Sequence, residues 1–135
     1  EIWKIAKKNN SKLMLDATAS IGLEKNHSLA HVLSFSSCKG LFGLTGASFI
    51  SYKVKPRYFK NSFYLNLASH ENKKMTGPYH TICSLYEVLK NYNKIKQSVL
   101  NNKKIFLKKM KNYLIYPKKN QPKLCTRVSK KLSAK

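Results

Sequence analysis

Two side chains in this sequence stand where a carboxylate and an amine could act on one ligand: Asp16 and Lys39. Asp16 is the only aspartate in the chain and directly follows the apolar stretch LML. Lys39 follows the small residues of SFSSC and precedes the glycines at 40, 43 and 46. A carboxylate at the end of a buried strand needs a partner, because an unpaired buried charge is costly. The alternative for Asp16 is a helix N-cap or a loop acid.

The neighbours of Lys39 are small, apolar or glycine, whereas most other lysines lie among Lys and Asn. We therefore expect restricted hydration at Lys39, which would favour its action as a neutral amine nucleophile. An amine nucleophile and a strand-end carboxylate in one site are what pyridoxal phosphate chemistry requires. The lysine bonds the cofactor as a Schiff base, and the acid keeps the pyridine nitrogen protonated. The glycines would let the backbone turn tightly beside the cofactor.

Short apolar runs predict the elements that position these two residues. Residues 12–17, 32–37 and 47–54 read as three strands, and residues 1–10 read as the end of a helix. A helical period then runs from about residue 80 to 114, after a long irregular stretch at 55–78 that is too long for a passive connector. Strands followed by a long helix indicate an α/β architecture, in which ligands bind at the carboxyl ends of strands.

The stretches LMLDATASIG and SFSSCKGLFGLTGASFI together resemble class V of the pyridoxal phosphate-dependent aminotransferases. That family has a strand ending in Asp, then a Ser-rich strand end, the Schiff-base Lys and a glycine-rich turn. A later T-x-P-x-H segment before a long helix is matched by Thr76, Pro78 and His80. The branch that moves the amino group of 2-aminoethylphosphonate to pyruvate fits best. The serine–pyruvate and alanine–glyoxylate branches share this order of motifs, but they are less similar to the chain in the T-x-P-x-H segment.

The resemblance covers about residues 3 to 115 and implies part of a fold type I large domain at 1–115. Residues 116–135 would then be a linker and the start of a small C-terminal domain. It implies amino transfer from an amine donor to a 2-oxo acid in a homodimer, with Lys39 and Asp16 catalytic and pyridoxal 5'-phosphate as cofactor. It implies that Thr76 reaches the cofactor phosphate of the neighbouring subunit. The residues that it assigns to cofactor binding are Lys39, Asp16, Thr18, Ser36, Cys38 and Thr76.

Two positions depart from the family pattern. Cys38 precedes the lysine where relatives usually carry Asn or Gln, and a thiol is a poor donor towards a phosphate compared with an amide. Ala19 stands where a serine is common, although Thr18 and Ser20 flank it. The first residues look like the middle of a helix, so we expect a fragment of a longer protein. The main phosphate loop, the ring-stacking aromatic residue and the carboxylate-binding arginine of the family are not in these residues.

The formal charge of +22 invites a nucleic-acid interpretation. Of the 27 basic residues only Arg57 and Arg127 are arginines, which leaves 25 lysines, and these are scattered among asparagines. Sequence-reading proteins rely on arginine for bidentate contacts, so we expect no specific nucleic-acid partner. Dense lysine clusters at 90–111 and 118–135 leave nonspecific polyanion binding open.

Three widely spaced cysteines without a CxxC motif favour a reducing, cytoplasmic setting and argue against a disulfide framework or a metal site. No apolar run reaches the length of a membrane span. Two other function classes stay open beside the aminotransferase: a small Lys-rich nucleic-acid-binding protein, and a catalytically inactive interaction fragment of the same fold. The first leaves Asp16, Lys39 and the glycine turn unexplained.

Overall fold

A small mixed sheet forms the centre of the chain. The computed structural model describes residues 1–55, 62, 64–73 and 76–129. The strand order is β1-β2-β3, with β1 parallel to β2 and β2 antiparallel to β3. Leu15 pairs with Leu33, and Phe35 pairs with Phe49. The three strands lie where the apolar runs predict them: β1 Met14–Asp16, β2 Val32–Ser36 and β3 Ser48–Tyr52.

Helices precede and follow this sheet along the chain, which confirms the mixed α/β class. The helix expected at the start of the chain and the helical segment after residue 80 are both present. The helical segment ends before residue 116, as expected, and residues 116–123 contain only a short 3-10 turn. The bounds are α1 Ile2–Lys8, α2 Leu67–Asn72, α3 Tyr79–Lys90 and α4 Tyr92–Lys109, with 3-10 turns at His27–Leu29, Lys111–Tyr113 and Lys118–Asn120.

The prediction of a single long helix after residue 80 is wrong, because the chain forms two helices that meet at Asn91. Asn91 has φ −106° and ψ 9°, and it ends α3 and precedes α4. Its backbone N–H donates to the carbonyl of Val88 at 3.0 Å, and its side-chain amide donates to the carbonyl of Glu87 at 3.4 Å. Asparagine competes in this way for backbone partners, which favours a helix end over a helix interior. The same residue thus sets where α4 begins.

Part of the stretch expected to be irregular is also helical. Asn66 caps α2, since its side-chain oxygen accepts the N–H of Ser69 at 3.3 Å. Glu71 on α2 accepts a hydrogen bond from Tyr52 of β3 and forms an ion pair with Lys55 at 2.7 Å. These contacts hold α2 beside β3. The remaining positions of the stretch at 56–61, 63 and 74–75 lie outside the described residues.

The two faces of the sheet differ in how well they are covered. On one face the rings of Phe35 and Phe49 stack with centroids 5.0 Å apart. On the other face Met14 is 74% exposed and Ile50 is 49% exposed. Among the described residues the buried apolar side chains are Ala17, Leu23, Ala30, Leu41, Ala47 and Leu107. Ala17, Leu23 and Leu41 lie in the segments that follow β1 and β2. In the part of the chain that the structure describes, no helix is long and apolar enough to cross a membrane.

Candidate active site

Asp16 and Lys39 follow neighbouring strands at the same edge of the sheet. Asp16 is the last residue of β1 and pairs with Ser34 of β2, and the next N–H, that of Ala17, donates to the carbonyl of Ser34 at 2.7 Å. Lys39 comes three residues after the end of β2. Because β1 and β2 are parallel, their carboxyl ends share one edge of the sheet, as expected for a ligand site in an α/β fold. The predicted position of both residues at strand ends is confirmed.

Thr18 links the segments that carry the two residues. Its backbone N–H donates to Asp16 Oδ1 at 2.9 Å, and its hydroxyl also hydrogen-bonds the Asp16 carboxylate. Its carbonyl accepts the N–H of Gly40, the residue after Lys39, at 2.9 Å. One residue therefore orients the carboxylate and fixes the turn that presents the amine.

The carboxylate of Asp16 is stabilised in its charged form. The hydroxyl of Thr18, then its backbone N–H, lower the pKa of Asp16 below its ordinary value, and the positive charge of Lys39 acts in the same direction. Among the described residues no ion pair within 4.0 Å joins Asp16 and Lys39, so the amine contributes less to this shift than the two Thr18 hydrogen bonds do. Lys39 itself is exposed, so the expectation that its small neighbours restrict its hydration is wrong for the described chain. Small neighbours leave an amine open to water unless another segment covers it.

Cys38 lies in a small polar cluster next to Lys39. Its sulfur is 3.5 Å from the hydroxyl of Ser36, and the hydroxyl of Thr45 also hydrogen-bonds it. These two hydroxyls, with a smaller contribution from Lys39, lower the pKa of the Cys38 thiol below its ordinary value. Hydroxyls that donate to a thiolate stabilise it. A thiol with a lowered pKa thus directly precedes Lys39 in the chain.

The glycines after Lys39 serve different purposes. Gly46 has a φ of +129°, a conformation that other residues rarely adopt, and a Cβ there would lie 2.9 Å from Thr81 Oγ1. A Cβ on Gly40 would lie 2.7 Å from the carbonyl oxygen of Ile21, so this glycine permits close backbone approach. Phe42 carries the other left-handed conformation in the turn, with φ 61°, and Gly43 does not. The expected tight turn is confirmed at two of the three glycines.

Two residues that the sequence reasoning missed hold this turn. The hydroxyl of Tyr92, at the start of α4, donates to the carbonyl of Gly40 at 2.7 Å, and burial raises the pKa of Tyr92. Ser37 is fully buried, and its hydroxyl donates to the carbonyl of Leu44 at 2.6 Å. The contact between Tyr92 and Gly40 joins residues 52 positions apart, so no local sequence pattern predicts it. The role of Ser37 could have been predicted from the sequence. A small hydroxyl residue at a strand end before a glycine turn typically hydrogen-bonds the backbone through its side chain.

Asp16 also forms one end of a groove of about 780 Å³ on the exposed face of the sheet. The groove floor is apolar, Lys12 and Lys53 contribute positive charge to its lining, and Lys39 is not among its lining residues. Thr76 lies at an exposed position before α3, and among the described residues no hydrogen bond joins it to Asp16 or Lys39. The single chain brings Asp16, Thr18, Ser36, Cys38 and Lys39 together at one edge, and it leaves Thr76 apart from them.

The described residues contain no group of three or more His, Cys, Asp or Glu side chains that could hold a metal ion. The strand ends carry a carboxylate, an amine, hydroxyls and a thiol. No protein-family model matches the chain, and no curated protein matches it either.

Proposed function

We propose that this chain is the cofactor-binding part of a pyridoxal phosphate-dependent aminotransferase. The observation that carries the proposal is the link through Thr18, which bonds the Asp16 carboxylate and accepts the N–H of Gly40 beside Lys39. A carboxylate and a primary amine are thereby held at the ends of two parallel strands. The sequence resemblance to the class V family and its fold type I large domain points to the same two residues.

The donor set at this edge fits the cofactor chemically. Asp16, with its lowered pKa, is an anion suited to a protonated ring nitrogen, and Lys39 is an amine open to an aldehyde. The hydroxyls of Thr18 and Ser36 bond Asp16 and Cys38 in this structure, so each would have to rotate to donate to a phosphate oxygen. The absence of a Cβ at Gly40 lets the turn pass close to the segment after β1. The ring nitrogen and the aldehyde of the cofactor thus each have a partner of matching chemistry.

Pyridoxal phosphate, when bound, supplies an electron sink for the bonds at the substrate amine carbon. Lys39 would hold the cofactor through its amine, and the same Nζ would move the proton at the substrate carbon. Asp16 would hold the proton on the ring nitrogen. Thr18 orients Asp16 and fixes the Lys39 turn, and the Cys38 thiol lies 3.5 Å from the Ser36 hydroxyl at the start of that turn.

The proposed reaction moves an amino group from an amine donor to a 2-oxo acid such as pyruvate, with 2-aminoethylphosphonate as the donor that the resemblance favours. A serine or alanine donor with glyoxylate as acceptor is the related alternative. The exposed position of Thr76 leaves it available to a second subunit, in keeping with the proposed homodimer. All three cysteines are free, which supports the proposed reducing, cytoplasmic setting.

The proposal is tested by titrating pyridoxal phosphate into the wild-type chain, the Lys39→Arg variant and a Lys25→Arg control. Arginine keeps the charge but does not bond the aldehyde. We expect Lys39→Arg to raise the Kd at least ~10-fold, which is about 1.4 kcal/mol. Lys25 is also exposed and lies between β1 and β2, so the control keeps charge and exposure constant. Equal affinity of all three proteins would contradict the proposal.

A further inference from the structure

The charge of this chain is distributed very unevenly. All five acidic residues lie in its first 87 positions, and no Asp or Glu follows Glu87. The whole of α4 and the turns after it therefore carry only positive formal charge. The ion pairs of the described residues use Lys55, Lys90 and Lys123, none of which belongs to α4.

The inward face of α4 uses its lysines to hold the fold. Lys96 Nζ donates to the carbonyl of Gly22 at 2.8 Å, and Lys103 Nζ donates to the carbonyl of Gln121 at 2.7 Å. Burial lowers the pKa of Lys103. Tyr92 and Leu107 lie on the same side of the helix at helical spacing. These two lysines are structural, and their charge is directed into the molecule.

The outward face of α4 is different. Its exposed residues at steps of three and four, continued by the first residue of the following 3-10 turn, form what we call the α4 stripe: Lys94, Gln97, Asn101, Lys104, Lys108 and Lys111. Every member carries an N–H donor, and none is acidic. At 1.5 Å per residue the stripe from Lys94 to Lys108 is about 21 Å long. The helix therefore presents a straight row of solvent-exposed donors opposite the face that packs.

The chemistry of this row selects one kind of partner. A row of ammonium and amide donors of this length matches a polymer whose anionic groups repeat regularly, and duplex DNA carries one charge per ~1.7 Å of its axis. Lysine acts as a point charge, which suits phosphate oxygens and carries no base information. The stripe contains no aromatic side chain on which unpaired bases could stack. We infer that the α4 stripe binds the phosphate backbone of duplex nucleic acid without sequence preference, independently of the site at Asp16 and Lys39.

The test compares two triple variants that remove the same charge. Lys94, Lys104 and Lys108 are changed to Gln in one, and the exposed Lys4, Lys8 and Lys25 are changed to Gln in the other. Binding of a fluorescent duplex of arbitrary sequence is followed by anisotropy from low to moderate salt. Since each phosphate contact contributes about 0.9 to the slope of log K against log salt, the stripe variant should lose about 2 to 3 from that slope. We expect its affinity at low salt to fall at least ~10-fold and that of the control to fall less than ~3-fold.

Further experiments distinguish binding by the α4 stripe from binding by diffuse net charge and from binding to other anionic partners. A variant with Arg at the same three stripe positions should keep wild-type affinity, and circular dichroism should show that all variants are folded. Equal losses in the two Gln variants would overturn the proposal, because they would assign binding to net charge. Tighter binding to vesicles containing phosphatidylserine than to the duplex would overturn it as well, in favour of a membrane surface. Affinity that depends on duplex sequence would also contradict it.

Discussion

Lys39 and the lysines of the α4 stripe have the same side chain but different surroundings. Lys39 follows a strand end, its turn is bonded to Thr18, and its charge acts on the carboxylate of Asp16. The stripe lysines lie in a row on an exposed helix face, in a part of the chain without acids. The first arrangement can bring one amine to one reacting group, whereas the second can only attract a partner by summed charge. In this lysine-rich chain the backbone around an amine distinguishes the two roles better than the number of lysines does.

Among the variants that test the difference between Lys39 and the stripe lysines, the largest effect is expected at Asp16. Asp16→Asn keeps an oxygen that can accept from Thr18 but removes the negative charge, so we expect the cofactor to stay bound while amino transfer to pyruvate falls at least ~100-fold. Because its pKa is lowered, wild-type Asp16 should stay ionised to a lower pH than a free aspartate. Its contribution should be lost only as the pH falls through that lowered pKa.

Glu87→Gln is the matched control for this rate measurement, since it removes an exposed carboxylate that pairs only with Lys90 among the described ion pairs. It should leave the amino-transfer rate unchanged. If Asp16→Asn kept the wild-type amino-transfer rate, Asp16 would not be catalytic. Lys39 would then not be distinguished from the other surface lysines.

The next largest effect concerns the stability of the Lys39 turn. Gly46→Ala forces a left-handed φ on alanine and brings its Cβ against Thr81, so we expect a loss of about 1 to 3 kcal/mol in the free energy of unfolding. Gly77→Ala is the control, because its nearest contact is at 3.7 Å and its φ is ordinary. Urea unfolding of both variants measures the difference. Equal midpoints would show that the turn is not held as described.

A smaller effect is expected at the contact that fixes the turn from α4. Tyr92→Phe removes the hydroxyl that donates to Gly40, which should cost about 0.5 to 1.5 kcal/mol of the free energy of unfolding. Tyr86→Phe changes an exposed tyrosine and should cost little. If Tyr92→Phe matched this control in urea unfolding, the hydroxyl would not hold the turn.

The smallest effect is a difference in pH dependence at Cys38. Ser36 and Thr45 lower the pKa of its thiol, so its reactive thiolate should persist as the pH falls, until the pH passes through that lowered pKa. Alkylation by iodoacetamide, followed by mass spectrometry of each cysteine peptide, measures this against the more exposed Cys83 and Cys125. We expect Cys38 to keep its rate at a lower pH than both. Three identical pH profiles would show that the two hydroxyls do not stabilise the thiolate.

The sequence predicts the sheet better than it predicts the contacts of the site. Runs of apolar residues locate the three strands to within two residues, because short apolar stretches bounded by polar or glycine residues are typical of strands. The break at Asn91 was missed because the helical period continues on both sides of it. The N-cap at Asn66 offered a local signal for α2 that the lack of a long apolar period obscured.

The candidate site shows the same difference between strand positions, which the sequence predicts, and long-range contacts, which it does not. Asp16 and Lys39 could be placed at strand ends from the sequence, since parallel strands bring their carboxyl ends to one edge. The bonds that organise them could be predicted less well. Tyr92 reaches Gly40 across 52 positions, and Thr45 reaches Cys38 only because the turn folds back. The exposure of Lys39 depends on which segments cover it, which a local pattern does not specify.

The central claim is that one lysine among 25 reacts as the cofactor amine. The most direct measurement adds less than one equivalent of pyridoxal phosphate, reduces the adduct with borohydride and maps the label by peptide mass spectrometry. We predict that Lys39 holds most of the label and that the exposed lysines of the α4 stripe hold little. Label spread over the stripe and other exposed lysines, with no excess at Lys39, would contradict the account.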